Sequence, residues 1–276
     1  MIRASVVPTV LILLAGCGGA DKSLPPAGAT KPASSAPAPQ QAAAAKPAEA
    51  AKPVPYPKDQ GTAVVAGKIT FTGKGEPEWS QPIDMSTHQD CAKLHGDKKV
   101  NEERLVVGAN GELANVLVFV SQGAERYTFQ PAKEPVALNQ TGCRYEPHVF
   151  GVMVDQPIKI TNSDATVHSI HAWPKKNADF NFTQAKQGQV DEKSFDTAEL
   201  PVPIRCDVHP WMQCYAAVFE HPWFAVTKAD GSFEIGGLVP GPYTLTFWHE
   251  KLGQQTQTFE ASAGQKAQLS IVFAGK

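Results

Sequence analysis

Long hydrophobic runs, an excess of one charge and helical periodicity are all scarce in this sequence of 276 residues. Its 25 basic residues are balanced by 27 acidic ones without any polybasic block, so no nucleic-acid partner is expected. Beyond the N-terminus, no apolar stretch approaches the roughly 20 residues that a membrane-spanning helix needs. Apolar residues nowhere recur steadily at intervals of three and four, so long amphipathic helices are not expected either.

The N-terminus has the form of a secretory signal. Residues 1–3 are a short basic start, and residues 6–15 are an apolar run too short to span a bilayer. The run ends in Leu-Ala-Gly-Cys at 14–17, which resembles the lipobox of bacterial lipoproteins. That resemblance implies cleavage before Cys17 and acylation of this cysteine, which anchors the chain to a bacterial membrane. The alternative is a plain secretory signal, 1–17, with a chance cysteine.

Residues 18–60 consist mostly of alanine and proline with scattered lysine, serine and glutamine. Such a segment has too little apolar bulk to fold and is predicted to be a disordered tether. A polyproline-like chain of this length reaches on the order of 100 Å, at about 3.1 Å per residue. The folded part is therefore expected outside the cytoplasm, in the periplasm or at the cell surface, lipid-anchored but held away from the membrane.

After Gly61 the sequence changes to short alternating apolar runs separated by Gly, Pro and Asn-Gly breaks. This pattern predicts an all-β fold built from antiparallel sandwiches. Single turns of helix are predicted at 88–95 and 120–126. The predicted strands are 64–71, 114–120, 149–154, 157–162, 202–206, 215–219, 232–236, 242–248 and 268–273.

One short peptide carries most of the functional information. In RCDVHPWMQC, residues 205–214, Cys206, His209 and Met212 follow one another at intervals of three. Copper favours these donors, because an ion that cycles between two oxidation states needs a strong thiolate, two imidazoles and a weak axial thioether. Two alternatives stay open. Cys206 and Cys214 could close a hairpin as a disulfide, or zinc could use Cys206, His209 and one further Cys or His, which leaves Met212 unexplained.

Two stretches, GVMVDQPIKITNSDATVHSIH at 151–171 and VPIRCDVHPWM at 202–212, resemble the cupredoxin, or blue-copper, family. In that family a strand ends in Asn, a His about six residues later supplies the first ligand, and a later loop supplies Cys, His and Met. The C-x-x-H-x-x-M spacing is similar to that of the amicyanin- and plastocyanin-like members. The resemblance implies a Greek-key β-sandwich over 61–222. The family's core is usually shorter than this, and residues from about 75 to 135 are the extra length. It also implies one type-1-like copper site and electron transfer with a redox partner protein. The implied ligands are His168, Cys206, His209 and Met212.

His171 is the rival of His168 as the first ligand. Successive residues of a strand face opposite sides, so residues three apart cannot both point at the site, and the interval from Asn in the family favours His168. His148 is interpreted as structural. Pro210 and Trp211, beside His209, are predicted to form an apolar docking patch for the redox partner.

The sulfur of the predicted thiolate needs hydrogen-bond donors. We hypothesise that the backbone N–H of Val208, two residues after Cys206, donates to this sulfur, because Pro210 has no N–H to give.

Besides Cys17, the chain has four cysteines, and an extracytoplasmic location favours disulfides. Cys91 and Cys143 lie in polar, turn-rich segments outside the ligand loop and are the predicted disulfide, which pins the extra part. Cys214 is then left as a free thiol on the strand that leaves the loop.

The C-terminal stretch 225–253 has a different pattern, with Asp-Gly, Phe and Pro-Gly-Pro-Tyr at the spacing D-G-x-F…P-G-x-Y. It resembles the carboxypeptidase regulatory-like domains, which are small transthyretin-like β-sandwiches. The resemblance implies a second module at 223–276 and says almost nothing about function. Residues 67–77 resemble the first strand of that domain, so 62–77 could complete the module and make a boundary near 222 false.

The function predicted is that of a membrane-tethered extracytoplasmic blue-copper protein acting in electron transfer. None of the eight histidines forms a His-x-His pair, from which the second copper centre of an oxidase is often built, so an enzyme is not expected. The alternatives are a non-redox β-sandwich that binds carbohydrate or a protein, and a copper storage or delivery protein.

Overall fold

The computed structural model describes residues 52–75 and 79–275. Within them lie eighteen β-strands and one short α-helix, so the predicted all-β fold class is confirmed. The predicted signal peptide, its Cys17 and most of the tether lie outside the described residues. In the described part of the chain, no helix has the length and apolar character needed to cross a membrane.

The predicted turn of helix at 88–95 is an α-helix, α1, that spans Gln89–His95, and the one at 120–126 is a 3-10 turn at Ala124–Arg126. A further 3-10 turn covers Lys58–Gln60. The strands in chain order are β1 Val54–Pro55, β2 Ala63–Thr72, β3 Leu117–Gln122, β4 Tyr127–Thr128, β5 Val136–Thr141, β6 Arg144–Glu146, β7 Val149–Met153, β8 Ile158–Asn162, β9 His168–Ala172, β10 Phe180–Gln184, β11 Val190–Lys193, β12 Glu199–Arg205, β13 Gln213–Phe219, β14 Phe224–Val226, β15 Ser232–Leu238, β16 Gly241–His249, β17 Gly253–Ala261 and β18 Lys266–Ala274.

Two sheets, ordered β10-β9-β12-β13-β7 and β11-β8-β5-β6, form what we call the site sandwich. Strand alternation explains its core, because β8 buries Ile158, Ile160 and Asn162 while the residues between them face outward. Buried side chains from both sheets, among them Ile160 and Ile204, belong to one hydrophobic cluster. This packing fixes the start of β9, where His168 lies, and the end of β12, which Cys206 follows.

The other two larger sheets, ordered β14-β3-β16-β17 and β15-β2-β18, form the flanking sandwich around a second hydrophobic cluster. Strand β2 is central in its sheet, antiparallel to β15 and parallel to β18. Both edges of β2 therefore have hydrogen-bond partners from the C-terminal stretch. The alternative interpretation of the sequence, in which residues 62–77 complete the C-terminal module, anticipated this pairing. The division into 61–222 and 223–276 does not follow the sheets, because β2 and β3 lie within the first range yet pair with strands of the second.

A third cluster joins the two sandwiches, with Leu117 from the flanking side and Val149 and Phe219 from the site side.

An acid with a buried side chain lies close to this junction. Glu250, in the turn after β16, contacts the His148 ring and accepts a hydrogen bond of 3.2 Å from the Tyr215 hydroxyl. His148 therefore has a partner in the flanking sandwich, consistent with the structural role expected for it.

Residues 79–105, which we call the inserted segment, contain α1 and pack against the site sandwich. A disulfide joins Cys91 of α1 to Cys143 of the β5–β6 turn, with an S–S distance of 2.06 Å. His95, at the end of α1, contacts the Gly142 carbonyl of the same turn at 2.9 Å. The inserted segment is thus fixed to the site sandwich by a covalent bond and a hydrogen bond side by side.

His249 should make the stability of the fold depend on pH. Burial lowers its pKa from 6.5 to about 4. The unfolded chain therefore binds more protons than the folded chain between these pH values, and stability is lost as pH falls through that window. The residue's contribution is up to about 3 kcal/mol. His249→Asn keeps an acceptor for the Lys251 N–H and should reduce the loss of unfolding free energy between pH 7 and pH 4, measured by urea unfolding. An equal loss in the variant and the parent chain would contradict this assignment.

Candidate metal centre

The loop between β12 and β13 is closed by its own backbone. The Cys206 N–H donates to the Met212 carbonyl at 3.1 Å, and the Met212 N–H donates to the His209 carbonyl at 2.9 Å. All three side chains are buried, with exposed fractions of 4, 1 and 2% for Cys206, Met212 and His209. The tight turn therefore holds the three predicted loop ligands together at one end of the site sandwich.

The fourth predicted ligand, His168, is the first residue of β9 and is fully buried. The Asn162 side chain shapes the preceding loop, because it accepts from the Asp164 N–H at 2.9 Å and donates to the Thr166 carbonyl at 2.9 Å. His171 lies on the other face of β9, where its Nδ1 contacts the Asp207 carboxylate at 3.0 Å. Only His168 of this pair faces the loop ligands.

Three of the four predicted ligands meet at one point. The Nδ1 atoms of His168 and His209 lie 3.0 Å apart, and Cys206 Sγ lies 3.7 Å from His209 Nδ1. The donor atoms of all three residues lie within 4.8 Å of one another. Two ring nitrogens this close need a cation or a proton between them, and one thiol with two imidazoles is a donor set that suits copper. Met212 is buried in the same cluster as Cys206.

The outer nitrogen of His168 is held by an acid that the sequence analysis missed. His168 Nε2 donates to Asp164 Oδ2 at 2.9 Å, and the same carboxylate accepts the N–H groups of Gly142 and Cys143 at 2.8 Å each. A carboxylate at Nε2 selects the tautomer whose Nδ1 lone pair is free to bind metal. In the sequence, the position of Asp164, two residues after Asn162 and four before His168, could have indicated this role.

The electrostatics of the pocket favour a cation. Burial disfavours the charged forms of both Asp164 and His168. The hydrogen bond between them, together with the two backbone N–H donors, nevertheless lowers the pKa of Asp164, and Asp164 with Cys206 raises the pKa of His168. Positive charge at the imidazole is therefore stabilised where the nitrogen and sulfur donors converge.

Cys206 is poised as a thiolate. Burial raises the pKa of its thiol, but hydrogen bonds with His168 and His209 and from backbone N–H groups outweigh burial and lower it to about 5. The Ser169 N–H lies 3.4 Å from the sulfur and the Ser169 hydroxyl 3.7 Å. Among the described residues, the hydrogen bonds to this sulfur come from Ser169 on the neighbouring strand β9 and from His209, so the hypothesis that Val208 donates here is wrong. The carbonyl of Val208 contacts His88 Nε2 at 3.2 Å.

The inserted segment covers the outer edge of His209. His209 Nε2 lies 3.2 Å from the disulfide sulfur of Cys91, and the ring centroids of His88 and His209 are 5.1 Å apart. Trp211 is half-buried, and its indole N–H donates to the Cys143 carbonyl at 2.9 Å. Of the two residues predicted as a docking patch, Pro210 is exposed and Trp211 is partly covered by this arrangement.

Cys214 is a separate, fully buried thiol on β13, so no Cys206–Cys214 disulfide exists in this structure. Burial raises the pKa of the Cys214 thiol well above its usual range. Since the protonated thiol is a poor nucleophile and a poor metal ligand, Cys214 is a packing residue here.

No protein-family model matches this sequence, and no curated protein matches it. Solved structures that resemble it include cupredoxins, each aligned with about a third of the chain. A purple cupredoxin from Nitrosopumilus maritimus is 21% identical over 30% of this chain and 98% of its own, with a TM-score of 0.26. A reduced amicyanin mutant is 20% identical over 32% of this chain and 84% of its own, with a TM-score of 0.28. A Cu-containing nitrite reductase from Thermus scotoductus SA-01 is 19% identical over 33% of this chain, with a TM-score of 0.28, and this chain spans only 26% of that enzyme.

Asp164→Asn tests the support of the first imidazole. The amide keeps the shape of the side chain but removes its charge, so copper affinity should fall by about 10–100-fold while the fold is retained. Competition titration with a chromophoric copper chelator measures this. Asp207→Asn is the matched control, because Asp207 contacts His171 on the opposite face of β9 and should have little effect. Equal losses in the two variants would contradict the role given to Asp164.

Proposed function

We propose that this protein is a membrane-tethered, extracytoplasmic blue-copper protein that transfers single electrons. The observation that carries the proposal is the convergence of His168 Nδ1, His209 Nδ1 and Cys206 Sγ in a buried pocket beside Met212. Copper bound by a thiolate, two imidazoles and a thioether supplies one-electron redox chemistry. The residues that would hold it are these four.

Rigidity supports electron transfer over other uses of copper. His168 is on a strand of the five-stranded sheet, and its Nε2 is fixed by a carboxylate that has two further backbone donors. The loop ligands are tied by backbone hydrogen bonds between Cys206, His209 and Met212. Such a frame limits ligand movement when the charge of the site changes, which favours fast electron exchange.

Compartment and anchoring are proposed from the sequence and one covalent bond. The Cys91–Cys143 disulfide supports an oxidising compartment, because such bonds are rare in the cytosol. The lipobox-like residues 14–17 support lipid attachment at Cys17, and residues 18–60 have the composition of a tether.

The proposed redox partner docks beside His209. Pro210 and Val208 flank this ligand and are exposed, so they offer apolar surface beside it.

Copper loading tests the donor set directly. The full-length chain should bind one Cu(II) and show an intense visible band from thiolate-to-copper charge transfer. Cys206→Ser should abolish the band with the fold retained, as judged by circular dichroism. Cys214→Ser, which removes the buried thiol on β13, should keep the band. A colourless protein that holds one zinc, or an unchanged band in Cys206→Ser, would contradict the proposal.

Ser169 should tune the redox potential. Donors to the Cys206 sulfur stabilise the more negative reduced site and raise the potential, so Ser169→Ala should lower it. A weak hydrogen bond of about 1 kcal/mol corresponds to roughly 40 mV for a one-electron couple. Voltammetry measures the shift, and Ser232→Ala, at the start of β15 in the flanking sandwich, is the control. A potential that stays unchanged in Ser169→Ala would mean that this hydroxyl does not act on the sulfur.

A further inference from the structure

The disulfide lies directly against the outer edge of one proposed copper ligand. Cys91 Sγ is 3.2 Å from His209 Nε2, and the donor atoms of Cys91, Cys143 and His209 lie within 4.8 Å of one another. All three residues are buried. Cys91 lies against the Nε2 edge of the His209 ring and Cys206 against its Nδ1 edge, so this group shares His209 with the centre described above but differs from it in both sulfurs.

We propose that Cys91, Cys143 and His209 form a second site, for one Cu(I) ion, when the disulfide is reduced. Two thiolates and an imidazole are a donor set that suits a soft cation. In the disulfide form the sulfurs carry no negative charge, and the thiolate, rather than the oxidised sulfur, is the metal ligand. The redox state of this pair therefore decides whether the second site exists.

The reaction that opens the site balances with a dithiol as the reductant. The dithiol gives two electrons and two protons to the Cys91–Cys143 bond, which becomes two thiols, and itself becomes a disulfide. Binding of Cu(I) then releases the two thiol protons as the sulfurs become thiolate ligands.

The backbone geometry explains why the two thiols stay close after reduction. The Cys143 N–H donates to Asp164 Oδ2 at 2.8 Å, which holds the β5–β6 turn independently of the disulfide. On the other side, α1 is held by the contact of His95 with the Gly142 carbonyl, and the Ile83 N–H donates to the Val100 carbonyl at 2.8 Å within the inserted segment. None of these bonds involves the disulfide sulfurs.

The two sites share one ring. His209 Nδ1 faces His168 and Cys206, whereas His209 Nε2 faces Cys91. A neutral imidazole has one lone pair in its ring plane and carries a proton on the other nitrogen, so it binds metal through one nitrogen at a time. The two sites therefore compete for His209, and the outer site is suited to receive or release an ion that the inner centre holds.

The experiment uses the full-length Cys206→Ser variant, because this substitution removes the thiolate of the inner centre. Failure of the proposed blue-copper function then does not affect the outcome. The variant is prepared with the disulfide intact and after reduction by a dithiol, which is then removed without air. Each form is titrated with Cu(I) against a chromophoric Cu(I) chelator. The reduced form should bind one Cu(I) at least about tenfold more tightly than the disulfide form, a difference of about 1.4 kcal/mol. Equal affinities of the two forms would overturn the proposal.

Two further variants in the same background assign the ligands. Cys143→Ser should remove the tight binding seen after reduction. Cys214→Ser is the matched control, since it removes another fully buried thiol that is not part of the group, and should preserve the binding. Loss of binding in Cys214→Ser with retention in Cys143→Ser would overturn the assignment.

A measurement on the unsubstituted chain does not depend on how well a variant folds. After reduction, alkylation rates of Cys91 and Cys143 are followed by peptide mass mapping with and without Cu(I). Both rates should fall when Cu(I) is added, because a coordinated thiolate is not free to react. Rates unaffected by Cu(I) both in this chain and in the Cys206→Ser variant, whose inner centre lacks its thiolate, would overturn the proposal.

Discussion

The arrangement of the site depends on the Asp164 carboxylate, which joins three parts of the chain. It accepts the Nε2–H of His168 and the backbone N–H groups of Gly142 and Cys143. The first bond aims His168 Nδ1 at His209 and Cys206, and the other two fix the turn that carries one half of the disulfide. A buried carboxylate is stable only when its oxygens have such partners. The same interaction therefore positions a ligand and anchors the segment that covers the site.

The inserted segment gives this site its particular environment. It brings His88 and the disulfide against the His209 edge, and the indole of Trp211 donates to Cys143 beneath it. His209 is consequently buried, with only 2% of its surface exposed. In the proposed function, electrons exchanged with a partner would pass through this cover or beside it, near exposed Pro210. The cover also places the two sulfurs of the proposed Cu(I) site beside the His209 ring.

Sequence reasoning succeeded where the information was local. Alternation identified β8 and β13, and the spacing of Cys206, His209 and Met212 identified a loop whose side chains are buried together. It failed where partners come from elsewhere in the chain. Ser169 reaches the Cys206 sulfur because β9 pairs with β12, which local spacing could not reveal, so Val208 was chosen instead. The boundary at 222 does not follow the sheets for the same reason, since β2 pairs with β18 about 200 residues later.

The central claim is that one thiolate and two imidazoles bind the same copper ion. X-ray absorption at the copper edge, on the full-length chain loaded with one Cu(II) and with its disulfide intact, tests this most directly. The account predicts a first coordination shell of two nitrogen atoms and one short-bonded sulfur, the donors that His168, His209 and Cys206 present. A shell of nitrogen and oxygen alone would contradict it, because the Cys206 thiolate would then have no part in the site.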